Sequence, residues 1–285
     1  LNRVLSAAEF ERITALVRER IRTRKPAAYL LNEAWLGDYR FYVDERVIVP
    51  RSYIAELLRS DLAPWVAAPS RIRTALDLCT GSGCLAILLA HSFARARIDA
   101  ADLSIDALEV ARRNIADYRL QRRIHLVHSD LFDALNTKRY DLIVSNPPYV
   151  SAATMRRLPA EYRREPALAL AGGRDGLDLV RRIVAEAPAH LTADGVLVVE
   201  VGHHRKRVER AFPHLPLNWV ETGAGDDCVF VITREALLAA ARARYSRATR
   251  GAASPRRAAT PSPVRASSAA AKQPRRSARA SNGSR

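Results

Sequence analysis

The tetrapeptide Asn146-Pro147-Pro148-Tyr149 is the stretch of this chain whose residue types most directly suggest chemistry. It follows an apolar run, Asp141-Leu-Ile-Val-Ser145, that reads as a buried strand. In an open α/β sheet, ligands sit beyond the carboxyl ends of the strands. An amide or exocyclic amine nitrogen has its lone pair delocalised into a π system. To attack an electrophilic methyl group it must be held and turned. The side-chain oxygen of Asn146 can accept one N–H and the carbonyl of Pro147 the other. Two prolines stiffen the loop, and Tyr149 offers a flat face to a planar group. No strong base is required, because attack makes the nitrogen cationic and its proton then leaves easily. Asn146, Pro147, Pro148 and Tyr149 are therefore the candidate catalytic set for methyl transfer from a sulfonium to a planar nitrogen.

A donor site must lie beside them. An earlier run, Thr74–Leu78, leads into Cys79-Thr80-Gly81-Ser82-Gly83 and then a helix-like stretch. Such a glycine turn lets a ligand approach the backbone and aims helix N–H groups at it. The next strand ends at Asp102, placed to accept from ribose hydroxyls, and the third at Ser129-Asp130, placed to accept from an adenine amino group. The candidate cofactor residues are Asp77, Thr80, Gly81, Gly83, Asp102 and Asp130, with Asn146 at the reacting end. The glycine turn alone does not separate a pyrophosphate ligand from an uncharged one. The Asn146 loop makes that choice, for S-adenosyl-L-methionine.

The elements that position these residues alternate. Strands are expected at 74–78, 97–101, 124–127, 140–145 and 195–201, and helices at 83–93, 104–117 and 176–190. That order implies an α/β fold, a Rossmann-like parallel sheet with helices on both faces. Residues 219–222 and 228–233 are expected to add a final antiparallel pair. Upstream, Ser6 and Glu9 have capping-box spacing before Phe10, Ile13, Leu16, Val17 and Ile21, so residues 6–24 read as a helix. Residues 40–50 read as a hairpin turning at Asp44-Glu45-Arg46, after which Ser52 caps a helix through Leu58. The divisions are an N-terminal helical region (1–33, truncated), a hairpin with linker helix (34–66), a Rossmann-like domain (67–244) and a tail (245–285).

The net charge of +16 is concentrated at one end. Ten Lys/Arg and no Asp/Glu fall in residues 245–285, which leaves +6 for the rest. That segment, rich in Ala, Ser, Pro and Arg, cannot bury enough surface to fold and is expected to be disordered, with RNA or ribosome contact as its functional reading. No apolar run reaches the ~18 residues of a membrane span, and the first residues lack signal-peptide order, so a cytoplasmic protein is expected. Cys79, Cys84 and Cys228 lack metal-ligand spacing and read as free thiols. His203-His204 have no evident third ligand, so no metal is expected. Arg51 can meet substrate or form a surface ion pair.

These residues resemble the N(5)-glutamine methyltransferases, the HemK/PrmB group, from about Arg24 to Thr233. The resemblance rests on the Asp77–Gly83 loop, Asp102, Asp130 and Asn146–Tyr149. It extends to Glu161-Tyr-Arg-Arg-Glu-Pro166, Leu168-Ala-Leu-Ala-Gly-Gly-Arg-Asp-Gly-Leu-Asp178 and Leu197-Val-Val-Glu-Val-Gly202. Adenine N(6) methyltransferases share the Asn-Pro-Pro-Tyr motif; the 165–178 stretch is more particular to the glutamine group. The run Tyr42-Val-Asp-Glu-Arg-Val-Ile-Val-Pro-Arg-Ser52 looks like the branch acting on large-subunit ribosomal protein number three, not the release-factor branch. The resemblance implies a class I fold, S-adenosylmethionine as donor and a glutamine of that ribosomal protein as acceptor. A release-factor glutamine, a nucleic-acid adenine, and a non-enzymatic RNA-binding role are the competing readings. The sequence departs from the group in its short N-terminal region, its basic tail, and Gly225-Asp226-Asp227-Cys228 before Val229-Phe230, where the group's hairpin is glycine-rich.

Overall fold

The computed structural model describes residues 3–252, with side chains through Ala243. Helix α1 spans Ala7–Thr23, and both halves of the capping box form between Ser6 and Glu9. Its apolar stripe has the expected spacing, yet Phe10, Ile13, Leu16, Val17 and Ile21 remain 36–70% exposed. Helix α2 (Ala27–Leu31) follows Pro26.

Strands β1 (Ala34–Leu36) and β2 (Tyr39–Phe41) form an antiparallel hairpin. This corrects the expected hairpin at 40–50. The chain reverses earlier, at Gly37, whose φ of +59° favours glycine. Residues 44–47 do turn, with the Val47 N–H on the Asp44 carbonyl, but no strand follows. The Asp44 carboxylate accepts from both the backbone and the guanidinium of Arg46, so polar groups that a strand pair would satisfy are satisfied locally. Helix α3 (Ile54–Leu58) begins two residues after Ser52, whose hydroxyl accepts from the Ile54 N–H at 3.3 Å.

The alternating part follows as β3 (Thr74–Leu78), α4 (Cys84–Ser92), β4 (Arg97–Asp102), α5 (Ile105–Asp117), β5 (Ile124–His128) and β6 (Tyr140–Ser145). Then come α6 (Ala152–Met155), α7 (Asp178–His190), β7 (Leu191–Glu200), α8 (Arg205–Ala211), β8 (Asn218–Thr222), β9 (Gly225–Thr233) and α9 (Arg234–Ala252). The strands expected from residue 74 onward all form. Helices α8 and α9 were not foreseen: α8 buries only Val208 beneath a basic surface, too faint a period to read. Helix α9 runs to Ala252, past the boundary at 245 where a disordered tail was expected. Residues 253–285, and with them most of the segment assigned to RNA or ribosome contact, lie outside the described residues. Among the described residues no helix is long and apolar enough to cross a membrane.

The seven strands lie in the order β5-β4-β3-β6-β7-β9-β8. Strands β5 to β7 along that order pair in parallel, and β9 runs antiparallel between β7 and β8. The chain steps outward from β3 to β4 and β5, then returns to lay β6 on the other side of β3. The switch point therefore falls between β3 and β6. Alternate strand residues supply two cores. Ala75, Leu142 and Val198 face α4, α5 and the N-terminal segment, whereas Leu76, Ile143 and Leu197 face α7.

Asn114 on α5, 1% exposed, joins three segments. Its Oδ1 accepts from the Tyr42 N–H at 2.8 Å, and its Nδ2 donates to the carbonyls of Tyr42 and Ser82 at 3.0 and 2.8 Å. It thus fixes the N-terminal segment to α5 and to the glycine loop. Asn114→Ala is expected to destabilise the fold by about 2–4 kcal/mol, since it strands buried backbone groups. Urea denaturation measures this, and an unchanged midpoint would contradict it.

Candidate functional site

Strands β3 and β6 end side by side, Leu78 opposite Ser145, and the Ser145 hydroxyl donates to the Leu78 carbonyl at 2.9 Å. The glycine loop and the Asn146 loop therefore leave the sheet as neighbours. Asp77 is fully buried. Its Oδ2 accepts from the Thr80 hydroxyl at 2.5 Å and from the Ala86 N–H at 3.0 Å, tying the loop to the first turn of α4. Burial pushes its pKa up to about 7 despite those two donors.

Asp102 ends β4. Its Oδ2 accepts from the Gly81 N–H at 2.8 Å and its Oδ1 from the Ser104 N–H at 2.9 Å. Burial raises its pKa, against the pull of those backbone donors. Each oxygen has a second acceptor direction left. A cavity opens here, walled by Gly81, Asp102, Ser104, Asp130 and Asn146 with apolar Ile48, Leu103 and Leu131. Asp77, Thr80 and Gly83, read from the sequence as cofactor residues, do not line it; they shape the loop from beneath. Asp130 lines it but carries an unforeseen partner, Arg182 Nη1 at 2.7 Å. Arg46 reaches the same cavity from the N-terminal turn.

A second cavity begins where the first ends. Ile48, Asn146, Pro148 and Ala169 line both. Arg51, Ser52, Tyr53, Glu56, Pro147, Tyr149 and Tyr162 complete the second wall. Among the described residues the Asn146 side chain makes no hydrogen bond, and the Pro147 carbonyl accepts none from the backbone. Asn146 stands at the junction, and Pro147 follows it on the wall of the second cavity. All four residues of the candidate catalytic set are thus brought together on one cavity.

The 168–178 stretch wraps this loop. The Val150 N–H donates to the Leu170 carbonyl and the Gly172 N–H to the Val150 carbonyl, each at 2.9 Å. A side chain at Gly172 would start 2.7 Å from the Pro148 carbonyl oxygen and the Tyr149 Cα, and one at Gly202 would start 2.8 Å from the Tyr149 ring. Only glycine permits such approach. The His204 ring meets the Tyr149 ring edge-on, with centroids 6.1 Å apart. Burial keeps the Tyr149 hydroxyl protonated.

Two long-range pairs across the second cavity were invisible in the sequence. Arg51 makes a bidentate pair with buried Glu165, at 2.6 and 2.5 Å, and its guanidinium lies 5.1 Å from the Tyr162 ring centroid. Arg51 thus forms an ion pair, to a buried partner, while its own side chain stays 38% exposed and lines the second cavity. Glu200, 0% exposed, accepts from the Ser52 hydroxyl at 2.6 Å and the Tyr53 N–H at 2.8 Å. Its Oε1 has no partner among the described residues. Burial drives its pKa up to about 7. Both carboxylates hold the segment 51–53, and with it one wall of the cavity. Their only sequence signal was their place inside family-like stretches.

The methyltransferase small domain model matches residues 56–160. The chain is 58% identical over 230 residues to a ribosomal protein uL3 glutamine methyltransferase of Bordetella pertussis, covering 81% of this chain and 77% of that protein. A second protein of the same name, from Neisseria gonorrhoeae, is 54% identical over 238 residues, covering 84% and 79%. Among solved structures, the hMettl16 catalytic domain superposes with a TM-score of 0.51 at 14% identity, covering 68% of this chain and 74% of that one, a likeness of fold.

Glu200 generates a pH dependence of stability. Its folded-state value near 7 lies above the ordinary 4.5, so the native state holds a proton that the unfolded chain releases. The stability from this group is complete below the unfolded value and is lost as pH rises through the folded one. Glu200→Gln, neutral throughout, should gain about 2–3 kcal/mol on the wild type between about pH 5 and pH 8. Asp77 titrates in both proteins and cancels. Urea melts across that range check this, and parallel curves would contradict it.

Proposed function

The chain belongs to the family of ribosomal protein uL3 glutamine methyltransferases, and on that premise we propose that its acceptor is a glutamine side-chain amide of uL3, with S-adenosyl-L-methionine as donor. It is a methyltransferase of class I fold that uses a donor of the S-adenosylmethionine type. The observation that supports the finer reading is that Asn146 lines both cavities, with Pro147 next to it on the second, and that among the described residues neither the Asn146 side chain nor the Pro147 carbonyl has a hydrogen-bond partner.

The first cavity suits such a donor. It presents two carboxylates, Asp102 and Asp130, on otherwise largely apolar walls. Among the described residues the one basic side chain on that wall, Arg46, is tied to Asp44. A pyrophosphate would meet carboxylates there, whereas a ribose with hydroxyl donors and a cationic sulfonium would not be repelled. Asp102 is assigned to the ribose, and Asp130, shared with Arg182, to the adenine edge. When bound, the donor supplies an electrophilic methyl group.

The chain's own residues do the rest. Asn146 Oδ1 accepts one N–H of the glutamine amide and the Pro147 carbonyl accepts the other, which turns the nitrogen lone pair toward the first cavity. Pro147 and Pro148 hold both acceptors in place without reorganisation. Tyr149, backed by Gly202 and His204, packs its face on the flat amide. The Arg51–Glu165 pair fixes Arg51 on the side wall of the second cavity, beside the proposed place of the amide. The same reading places the enzyme in the cytoplasm, where uL3 is made and assembled.

Asn146→Ala is expected to lower the single-turnover rate by roughly 10²–10³-fold and to leave donor affinity within about threefold. Asp102→Ala is expected to weaken donor binding by about tenfold or more through lost charge-assisted hydrogen bonds. Calorimetric titration with the donor and single-turnover assays on uL3 separate the two roles, and the reverse pattern would contradict them. Labelled-donor assays on uL3 with each glutamine changed to alanine test the acceptor. Label that is indifferent to every such change would sink the proposal.

A further inference from the structure

His203 leaves the end of β7, and in sequence it had no metal-ligating companions beyond His204. The antiparallel pairing of β7 with β9 supplies two. The Val201 N–H donates to the Cys228 carbonyl at 2.8 Å, which brings the 201–204 turn against the first residues of β9. His203 Nδ1 then lies 3.0 Å from Asp227 Oδ1 and 3.5 Å from Cys228 Sγ, and Cys228 Sγ lies 3.4 Å from Asp227 Oδ1. One nitrogen, one oxygen and one sulfur thus form a triangle, each on a different residue.

Zinc takes these three donors at about 2.0–2.3 Å in tetrahedral geometry, which puts neighbouring donor atoms about 3.3–3.6 Å apart. The observed edges match one face of that tetrahedron to within a few tenths of an ångström. The donor types agree as well: thiolate, imidazole and carboxylate together favour zinc over the hard cations calcium and magnesium. Charge also closes. A carboxylate and a thiolate neutralise a divalent ion, so the nearby basic residues face no net positive charge. One of them, Arg205, is already paired with Asp226 and Glu209. Cys228 is 0% exposed and forms the floor, whereas the His203 side chain is 66% exposed and opens on a surface cavity that Asp227 also lines. The fourth vertex therefore points to solvent.

We propose that His203, Asp227 and Cys228 form a three-ligand zinc site with a solvent-filled fourth position. Binding releases the Cys228 thiol proton to solvent as the sulfur–metal bond forms. The ion ties the 201–204 turn, whose Gly202 backs the Tyr149 ring, to β9.

The test is cobalt(II) titration of the full chain after chelator treatment. The expected result is a near-ultraviolet sulfur-to-cobalt charge-transfer band with visible bands of tetrahedral strength, saturating at a single equivalent and bleached by zinc(II). Cys228→Ser should abolish the charge-transfer band. His203→Ala, at an exposed position, should weaken cobalt binding roughly tenfold or more with an unchanged circular dichroism spectrum. No sulfur–cobalt band in the parent chain would overturn the proposal, leaving the triad as a hydrogen-bonded cluster. So would a band that survives Cys228→Ser, which would assign it to Cys79 or Cys84. If Cys228→Ser fails to fold, unchanged affinity in His203→Ala overturns it alone.

Discussion

Parallel pairing of β3 with β6 is the constraint on which the site depends. The two strands are far apart in sequence, and their loops carry different proposed tasks: the Cys79–Gly83 turn shapes the cavity proposed for the donor, and Asn146–Tyr149 lines the one proposed for the acceptor. They leave the sheet as neighbours because Leu78 and Ser145 end in register and the Ser145 hydroxyl holds the Leu78 carbonyl. A slip of one residue would turn Asn146 to the opposite face of the sheet. Asp77, two residues down β3 from Cys79, fixes the loop side of this junction. On the other side, Gly172 and Gly202 admit no side chain against Pro148 and Tyr149.

This precision has an energetic cost beneath the site. Asp77 and Glu200 are buried carboxyls, each with one oxygen lacking a partner among the described residues. Both are driven up to about 7 by burial. Neither lines its cavity. Each holds a backbone segment that does, Asp77 the glycine loop and Glu200 the 52–53 turn. Rigid placement of catalytic groups by strained or under-satisfied neighbours is a general feature of active sites. Here two cavities share four residues, so a small displacement of either segment would misalign donor and acceptor together.

The sheet strands, the glycine loop and the Asn146 set were legible because their signals are local: apolar runs of strand length, glycines at a turn, prolines after a strand. The N-terminal hairpin was misplaced because Arg40–Pro50 has strand-like composition on both sides of a polar turn. Gly37-Asp38 reversed the chain first, and the Asp44–Arg46 contacts closed the later turn on itself. Asp77, Thr80 and Gly83 were read as ligand contacts because spacing identifies a loop without saying which atoms face outward. An ion pair at Arg51 was foreseen, but its partner Glu165, the Ser52–Glu200 contact and the His203–Asp227–Cys228 cluster could not be read. Each joins residues brought together by tertiary or sheet pairing, with no periodicity to betray it.

In the proposed function, Asn146 and Pro147 clamp a flat amide at the mouth of the donor cavity. A crystal structure with S-adenosyl-L-homocysteine and a glutamine-containing uL3 peptide tests it most directly. The expected result is a glutamine amide nitrogen about 2.7–3.2 Å from both Asn146 Oδ1 and the Pro147 carbonyl oxygen, with its face on Tyr149. An Asn146 side chain turned from the sulfur, with no acceptor nitrogen within reach, would contradict it.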